Sequence, residues 1–300
     1  MTEPSTEPLP DWRAMWDFQD ADATEVRFRE AIAAGRERGD AAYVAIVTTQ
    51  LARTFGLRKR FDEAHATLDL VESAAETGSP ELRIRYLLER GRAFNSGGRK
   101  DESGPLFEEA WRVGREAGLD GLAVDAAHML AIVLPPDPAL EWTERAMALC
   151  EASDDPRCKG WLGPLYNNSG WTHFDRGDYH AALERWEKGL AVRRAAGTPH
   201  PLQVARYTVA RAWRMLGRHE EALAESRSIR DARAEAGLEP DGFVSEEIAE
   251  NLEALGRTDE AAPWYAEAWS LLQSHDWLAT HERERWERLR QRAGAAGDAG

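Results

Sequence analysis

Histidine, cysteine and carboxylate side chains are the groups of this chain that could do chemistry, and their spacing is the first test for a catalytic site. The eight histidines are scattered, without the spacing on one helix face that lets two of them hold a metal ion. The sequence has no glycine-rich phosphate loop, no nucleophile elbow and no Cys-x-x-Cys pair. We therefore expect a protein that is not an enzyme and that has no cofactor and no bound metal.

The two cysteines and the N-terminal segment bear on cellular location. Cys150 and Cys158 are too few for a disulfide framework in 300 residues and are interpreted as reduced thiols. Residues 1–10 are acidic and proline-rich, with neither the basic nor the apolar region of an export signal. The longest apolar runs are far shorter than the roughly 20 residues that cross a bilayer. These features predict a soluble, cytoplasmic protein without membrane contact.

The charge balance excludes one class of partner. There are 53 acidic and 38 basic residues, a formal net charge of −15, which argues against nucleic-acid binding because phosphate backbones are held by positive surface. Only four of the basic residues are lysines, so 34 are arginines. With 43% hydrophobic residues the chain can form a sizeable buried core, and its abundant alanine favours helices.

An internal period organises the elements that must position any site. Glycines that close helical patterns recur 39, 40, 79 and 40 residues apart, at Gly39, Gly78, Gly118, Gly197 and Gly237. A glycine just past a helix end supplies the left-handed conformation that stops the helix. Each unit of about 40 residues has room for two helices of roughly 14 to 16 residues.

Small residues recur inside these helices and predict where paired helices touch. In the first helix of each unit they are Ala52, Gly91, Ala127, Gly170, Ala210 and Ala249. In the second helix they are Ala64, Ser103, Ala139, Ala182, Ala222 and Ala261. In the third unit, residues 134–138 replace the inner glycine turn, which leaves the register of that unit open.

The small residues that recur at one position of each helix, which we call columns, resemble the tetratricopeptide repeat (TPR). The clearest copy is Tyr166 to Gly189, in which Gly170 is followed by a Gly-Asp-Tyr turn at 177–179 and then by Ala182 and Trp186. The period exceeds the usual 34 residues and is similar to the long repeats of kinesin light chains and of the maltose-regulon activator. The resemblance implies an all-α, right-handed superhelical solenoid of antiparallel helix pairs, with about six to seven repeats.

The ends of the array complete the predicted organisation. We expect a flexible lead over 1–10, a single solenoid domain over 11–292 and a disordered tail over 293–300. A degenerate first unit would contain a helix near 22–31, with Trp12 and Trp16 on its partner segment. A charged helix from Trp277 to Arg292 would cap the last unit.

In the family that the chain resembles, the first helices line a concave groove. Arginine forks pair with carboxylates, side-chain amides bond an extended peptide backbone, and aromatic rings anchor side chains. We predict that an acidic or carboxylate-bearing peptide binds there, with Trp171 as the main anchor; Asn168 matches a groove asparagine of kinesin light chain repeats. The predicted groove residues are Arg53, Arg92, Asn95, His128, Asn167, Asn168, Trp171, Phe174, Tyr207, Arg211 and Arg214. The last unit would present an acidic face through Glu246, Glu247, Glu250 and Glu253.

Several functions stay open at this point. The leading hypothesis is a protein–protein interaction scaffold or adaptor, and the alternative is a peptide- or ligand-sensing regulator that acts through a separate effector. An enzyme would have to pair His128 with Glu89 or Asp125. The same arginines could also be an ordinary exposed face paired with those two carboxylates, and the end units leave self-association open.

Overall fold

The computed structural model describes residues 8–297, with side chains through residue 294; residues 1–7 and 298–300, which carry most of the predicted lead and part of the predicted tail, lie outside the described residues. Within the described residues there is no β-strand, as predicted. A 3₁₀ turn at Trp12–Met15 precedes the first α-helix. The α-helices are α1 Ala21–Glu37, α2 Ala41–Leu57, α3 Phe61–Asp69, α4 Glu72–Thr77, α5 Pro80–Ser96, α6 Lys100–Glu116, α7 Asp120–Val133, α8 Pro136–Ala152, α9 Pro156–Gly160, α10 Leu162–Asp175, α11 Tyr179–Ala196, α12 Pro199–Met215, α13 His219–Glu235, α14 Gly242–Ala254, α15 Thr258–Leu272, α16 Asp276–His281 and α17 Arg283–Gly297.

The helices form two compact units that divide after Leu165. In unit 1, up to Leu165, α5 packs on α6, α6 on α7, and α7 on α8. In unit 2, from Tyr166, the same order holds from α11 through α15, and α17 packs on α15. The predicted all-α fold of consecutive helix pairs is therefore confirmed within each unit. The assignment of 11–292 to a single domain stays a prediction.

The small residues in the repeat mark close approaches between helices, as predicted. A Cβ added to Gly91 in α5 would lie 2.5 Å from the Phe107 ring of α6. A Cβ added to Gly170 in α10 would lie 2.1 Å from Nε1 of Trp186 in α11. Because each glycine faces a fully or nearly fully buried aromatic ring, the small and large columns of the repeat are complementary halves of one contact.

The third unit has a different register from the one expected. Ala139 is half-buried, whereas Thr143, one helical turn later, is only 6% exposed. With Thr143 in the column, the spacings from Ala64 through Ser103 become regular at 39, 40, 39, 40 and 39 residues. The shift arises because α8 begins at Pro136, directly after Pro135, and proline is well suited to the first turn of a helix.

The inner turns of the repeats share one construction. Positive backbone φ angles of 83°, 79°, 77° and 76° occur at Gly98, Gly177, Gly217 and Gly256, and Lys59 takes the same position in the first repeat with φ 61°. Gly78 departs from the expected left-handed cap: its backbone is extended, with φ −87° and ψ −156°.

An arginine follows four of these positions at the N-cap of the second helix and pairs with the glutamate three residues later. We call this arrangement the turn clamp. Its pairs are Arg60–Glu63, Arg99–Glu102, Arg218–Glu221 and Arg257–Glu260. In the second of them, both nitrogens of the Arg99 fork donate to Glu102, at 2.5 and 2.6 Å, while the guanidinium lies 4.4 Å from the Phe94 ring centroid. The clamp replaces the usual Ser or Asp cap, because these N-cap arginines make no side-chain capping bond.

The terminal elements differ in detail from the prediction. The partner of α1 is the short 3₁₀ turn that contains Trp12, rather than a full helix. The predicted capping helix is broken at Glu282 into α16 and α17. Helix α17 continues to Gly297, so the predicted start of the tail at residue 293 lies inside a helix.

Candidate functional site

Three of the predicted groove residues meet in unit 1. Arg53 from α2, Arg92 from α5 and His128 from α7 line one cavity of about 300 Å³. Asn95 is not among its lining residues, and its side-chain oxygen is buried without a hydrogen-bond partner. We call the surface that carries these first-helix side chains the first-helix face of unit 1.

Aromatic side chains form two walls of this cavity. The Trp16 and Phe18 rings stack in parallel with centroids 4.8 Å apart, and Phe18 is 60% exposed. The Arg53 guanidinium lies about 6 Å from both rings, at 6.0 and 5.9 Å. On the other wall His128 contacts Trp161, with ring centroids 5.1 Å apart. The cavity therefore combines cationic and aromatic surfaces.

Sequence reasoning missed three lining residues of this cavity as site candidates, namely Trp16, Phe18 and Arg85. Trp16 had been placed in a degenerate helix pair, but its Nε1 donates to Oε1 of Gln50 at 3.2 Å. The N-terminal segment lies outside the repeat period, so the periodic columns carried no signal for its contribution. The polarity of Gln50 at a buried helix position was the available clue.

The arginines of unit 1 are held by the chain's own carboxylates. Arg92 donates from Nη1 to Glu89 at 2.6 Å and from Nη2 to Asp125 at 2.5 Å. Burial alone would lower the pKa of Arg92, but the two carboxylates raise it, so this guanidinium is a firmly ionised part of the framework. Arg53 is held less firmly: its Nη1 lies 3.3 Å from both Glu89 oxygens, and its side chain is 25% exposed.

The titratable groups opposite Arg53 have separate protonation preferences. Burial would raise the pKa of Asp125, but Arg92 lowers it below its ordinary value, so Asp125 stays ionised. Burial lowers the pKa of His128, which keeps the imidazole neutral near pH 7. The polar wall of the cavity is thus two carboxylates, neutral His128 and the guanidinium groups.

Unit 2 gathers three other predicted groove residues, Trp171, Phe174 and Tyr207, around Arg211. Its guanidinium lies 5.8 Å from the Trp171 ring and 5.2 Å from the Phe174 ring. Nη1 of Arg211 donates to the Tyr207 hydroxyl and to Glu247, both at 3.2 Å. Arg211 is 7% exposed, and its Nε is buried without a hydrogen-bond partner. Arg211 therefore joins the aromatic cluster to the next helix rather than reaching into solvent.

A second cavity, of about 200 Å³, lies beside this cluster in unit 2. Trp171 and Tyr207 line it together with the apolar side chains of Val204, Phe243 and Val244. Trp171 also packs on Trp186, with ring centroids 5.0 Å apart, and is half-buried. The predicted anchor therefore contributes to the core and to a cavity wall at once.

The two predicted asparagines occupy adjacent positions on α10. Asn168 is exposed, and its Oδ1 accepts from Nδ2 of Asn167 at 3.3 Å. The backbone oxygen of Asn167 accepts from Nε1 of Trp186 at 3.1 Å. Asn168 is thus the more accessible of the two amides.

The acidic side chains of the last unit do not form the open surface that was expected. Glu247 is fully buried and accepts from Arg214 at 2.7 Å as well as from Arg211. The other three glutamates each pair with an arginine of α17, and Glu250 also pairs with Arg214 at 2.5 Å. The pairs with α17 are Glu246–Arg285 at 2.6 Å, Glu250–Arg288 at 3.3 Å and Glu253–Arg292 at 2.7 Å. Helix α17 packs on α15, and its arginine side chains reach these glutamates on α14.

Residues 8–294 contain no group of three or more His, Cys, Asp or Glu side chains placed to hold a metal ion. None of the helices between residues 8 and 297 combines the length and apolarity needed to span a bilayer.

Comparison with known proteins identifies the type of repeat. Residues 165–202 match the tetratricopeptide repeat family model. No curated protein has significant sequence similarity to the chain.

Solved structures extend the likeness beyond that one repeat. The apo form of RapI aligns with a TM-score of 0.70 at 10% identity, covering 88% of this chain and 75% of RapI. The signal transduction ATPase PH0952 of Pyrococcus horikoshii, which has a tetratricopeptide repeat sensor, aligns with a TM-score of 0.62 at 14% identity over 93% of this chain and 44% of that protein. Nearly identical TPR-like repeats assigned to a kinesin light chain of Podosopora anserina align with a TM-score of 0.50 at 20% identity, over 63% and 94%. The fold is therefore that of tetratricopeptide-repeat proteins, as predicted.

Proposed function

We propose that this protein is a non-enzymatic interaction scaffold that binds a peptide segment of a partner protein on its first-helix face, with a ligand carboxylate at Arg53. The observation that carries the proposal is the 300 Å³ cavity of unit 1, in which a loosely held guanidinium stands between two aromatic walls. Arginine forks bind carboxylates through two parallel hydrogen bonds, and aromatic walls add contact area.

Arg53 is the groove arginine best suited to bind a ligand. Its contact with Glu89 is long, whereas Arg92 holds the same carboxylate at 2.6 Å. When Arg53 turns towards a ligand, Glu89 therefore keeps a short ionic partner and no buried carboxylate is left bare. Arg92, Arg211 and Arg214 act in this proposal as fixed parts of the framework that shape the face.

Unit 2 offers an apolar binding element of its own. Its 200 Å³ cavity, with Trp171 and Tyr207 on the wall, has the size and lining to take an apolar side chain of a peptide. The exposed amide of Asn168 could bond a peptide backbone. The buried Arg211 beneath these rings holds them in place rather than serving as a charge for the ligand.

The carboxylate assignment is tested by comparing Arg53→Ala with wild type in titrations against a library of acidic peptides, followed by fluorescence anisotropy. Loss of one hydrogen-bonded ion pair should weaken binding about 10-fold or more, since such bonds contribute roughly 1.5–3 kcal/mol. Arg112→Ala is the matched control, because Arg112 pairs with Glu109 and Glu116 on the second helix α6. Equal affinities for wild type and Arg53→Ala would contradict the assignment.

A peptide- or ligand-sensing regulator is the second candidate. It is favoured by the likeness to PH0952, whose structure carries a tetratricopeptide repeat sensor. A sensor differs from a scaffold because its ligand changes the binding of another protein. Co-purification of partner proteins with and without the best acidic peptide distinguishes the two. If the protein is a scaffold, the peptide competes with the partner for Arg53 and displaces it. If it is a sensor, the peptide changes the binding of a partner that does not contact Arg53.

A further inference from the structure

The two cysteines of the chain lie side by side in the core of unit 1. Cys150 is in the last turn of α8 and Cys158 in the short helix α9, and their sulfur atoms are 3.0 Å apart. Both side chains are fully buried. A disulfide sulfur pair is about 2.05 Å apart, so about 1 Å of movement separates the two thiols from a bond.

We propose that Cys150 and Cys158 are a redox modification site that forms an intramolecular disulfide in the folded protein. The oxidant is a small disulfide, such as oxidised glutathione. One cysteine thiolate attacks that disulfide, forming a mixed disulfide and releasing one glutathione as a thiol. The second cysteine thiolate then attacks the protein-side sulfur and releases the second glutathione. The protein sulfurs lose two electrons, which reduce the oxidant, and the two thiol protons end on the two released glutathiones.

The segment that the bond would close is already ordered by its neighbours. Ser153, between the cysteines, donates from Oγ to Asp120 Oδ2 of α7 at 2.7 Å. Asp155 caps α9 by accepting from the backbone N–H of Arg157 at 2.9 Å. A Cβ on Gly121 would lie 3.6 Å from the backbone nitrogen of Cys158, so α9 rests closely on α7. Because these contacts already hold the two sulfurs side by side, closing the bond itself requires little rearrangement of the fold.

Formation of this disulfide should be slow, because the buried sulfurs can meet the oxidant only when α9 opens transiently, and it should depend on pH. Burial raises the pKa of both Cys150 and Cys158, so the reactive thiolate is scarce near neutral pH. The rate of oxidation should therefore rise as the pH is raised. This sign distinguishes the pair from exposed, activated cysteines, whose thiolates are already abundant near neutral pH.

The experiment equilibrates the folded full-length protein with mixtures of oxidised and reduced glutathione and counts free thiols by alkylation and mass spectrometry. We expect the intact mass to fall by two hydrogens, with a peptide that links Cys150 to Cys158. The disulfide should raise the melting temperature by about 5 °C, because it closes a short loop in the unfolded chain. Hydrogen exchange across residues 150–161 should slow at the same time.

Two controls keep the result decisive. The single variant Cys158→Ser should accept glutathione at Cys150 at most and should gain no rise in melting temperature. The urea-unfolded wild-type chain reports whether the chosen mixture can oxidise these thiols without the fold. If the unfolded chain forms the disulfide and the folded protein keeps two free thiols at every pH tested, the proposal is wrong. A folded protein that carries only mixed glutathione disulfides would also overturn it.

Discussion

At the scale of single residues, Glu247 shows how the first-helix side chains of unit 2 depend on one another. Its fully buried carboxylate accepts from both Arg211 and Arg214. We expect Glu247→Gln to lower the free energy of unfolding by about 3 kcal/mol, because it removes the carboxylate partner of buried Arg211 and leaves Arg214 with Glu250 alone. Urea denaturation followed by circular dichroism measures this change.

The matched control for that substitution is Glu221→Gln, which removes an exposed partner of Arg218 in a turn clamp. Exposed pairs contribute about 0–1 kcal/mol, so this variant should be close to wild type. Equal losses in the two variants would show that burial of Glu247 has no energetic weight.

The same carboxylate gives a prediction for pH. Burial would raise the pKa of Glu247, but Arg214 and Arg211 lower it below the ordinary value. A carboxyl whose folded pKa is depressed contributes stability that is full above its unfolded pKa, about 4.3, and is lost as the pH falls through the folded value. The stability difference between wild type and Glu247→Gln should therefore be constant near neutral pH and shrink below about pH 4. A difference that grows on acidification would contradict this sign.

The partners of the groove arginines mark the limit of prediction at the residue scale. The columns placed Arg53, Arg92 and Arg211 on first helices from sequence spacing alone. The spacing allowed pairing with Glu89 and Asp125 but could not decide between that pairing and ligand contact. It gave no indication that Glu247 would hold Arg211, because that depends on how neighbouring helices are rotated and offset. Side chains from outside the period, such as Trp16, could not be found in the columns at all.

At the scale of elements, the glycine columns give a test of helix packing. Gly91→Ala would place a Cβ 2.5 Å from the Phe107 ring and force α5 and α6 apart. Overpacking of this kind costs about 1–3 kcal/mol, which urea denaturation would detect as a lower midpoint.

Gly104, in the same helix pair, is the matched control. A Cβ there meets no atom within 4 Å. Gly104→Ala should therefore stabilise the protein by up to about 1 kcal/mol, since alanine is the better helix former. A similar loss in both variants would mean that the loss at Gly91 does not come from the contact with Phe107.

The sequence predicted which helices pair, but several helix boundaries differ from the prediction because they depend on individual residues at the turns. The period located the pairs because turn glycines and small residues are set by backbone geometry and close packing. The third unit slipped by four residues, from Ala139 to Thr143, since the proline turn allows α8 to start early. The break at Glu282 has no proline or glycine to announce it.

At the scale of the whole molecule, the net charge of −15 opposes the approach of an acidic ligand even where Arg53 can bind it. Salt screens such long-range repulsion, with a screening length of about 10 Å at 0.1 M. The association rate of an acidic peptide should therefore rise with ionic strength, as measured by stopped-flow anisotropy. A basic peptide of equal length should show the opposite trend. If salt slows the acidic peptide, local positive charge outweighs the field of the whole chain.

The turn clamp has a consequence for how such an array can change in length. The ring, arginine and glutamate of one clamp all lie within residues 94–102, so a turn that has a clamp forms it from residues of a single repeat. Duplication or deletion of a whole repeat would leave every such turn intact. The bonds from Arg53 to Glu89 and from Arg211 to Glu247 instead join consecutive repeats. A copied repeat would thus keep the contacts of its own turn. Its first-helix arginine would still need a glutamate in the next repeat, which restricts the order in which repeats can follow one another.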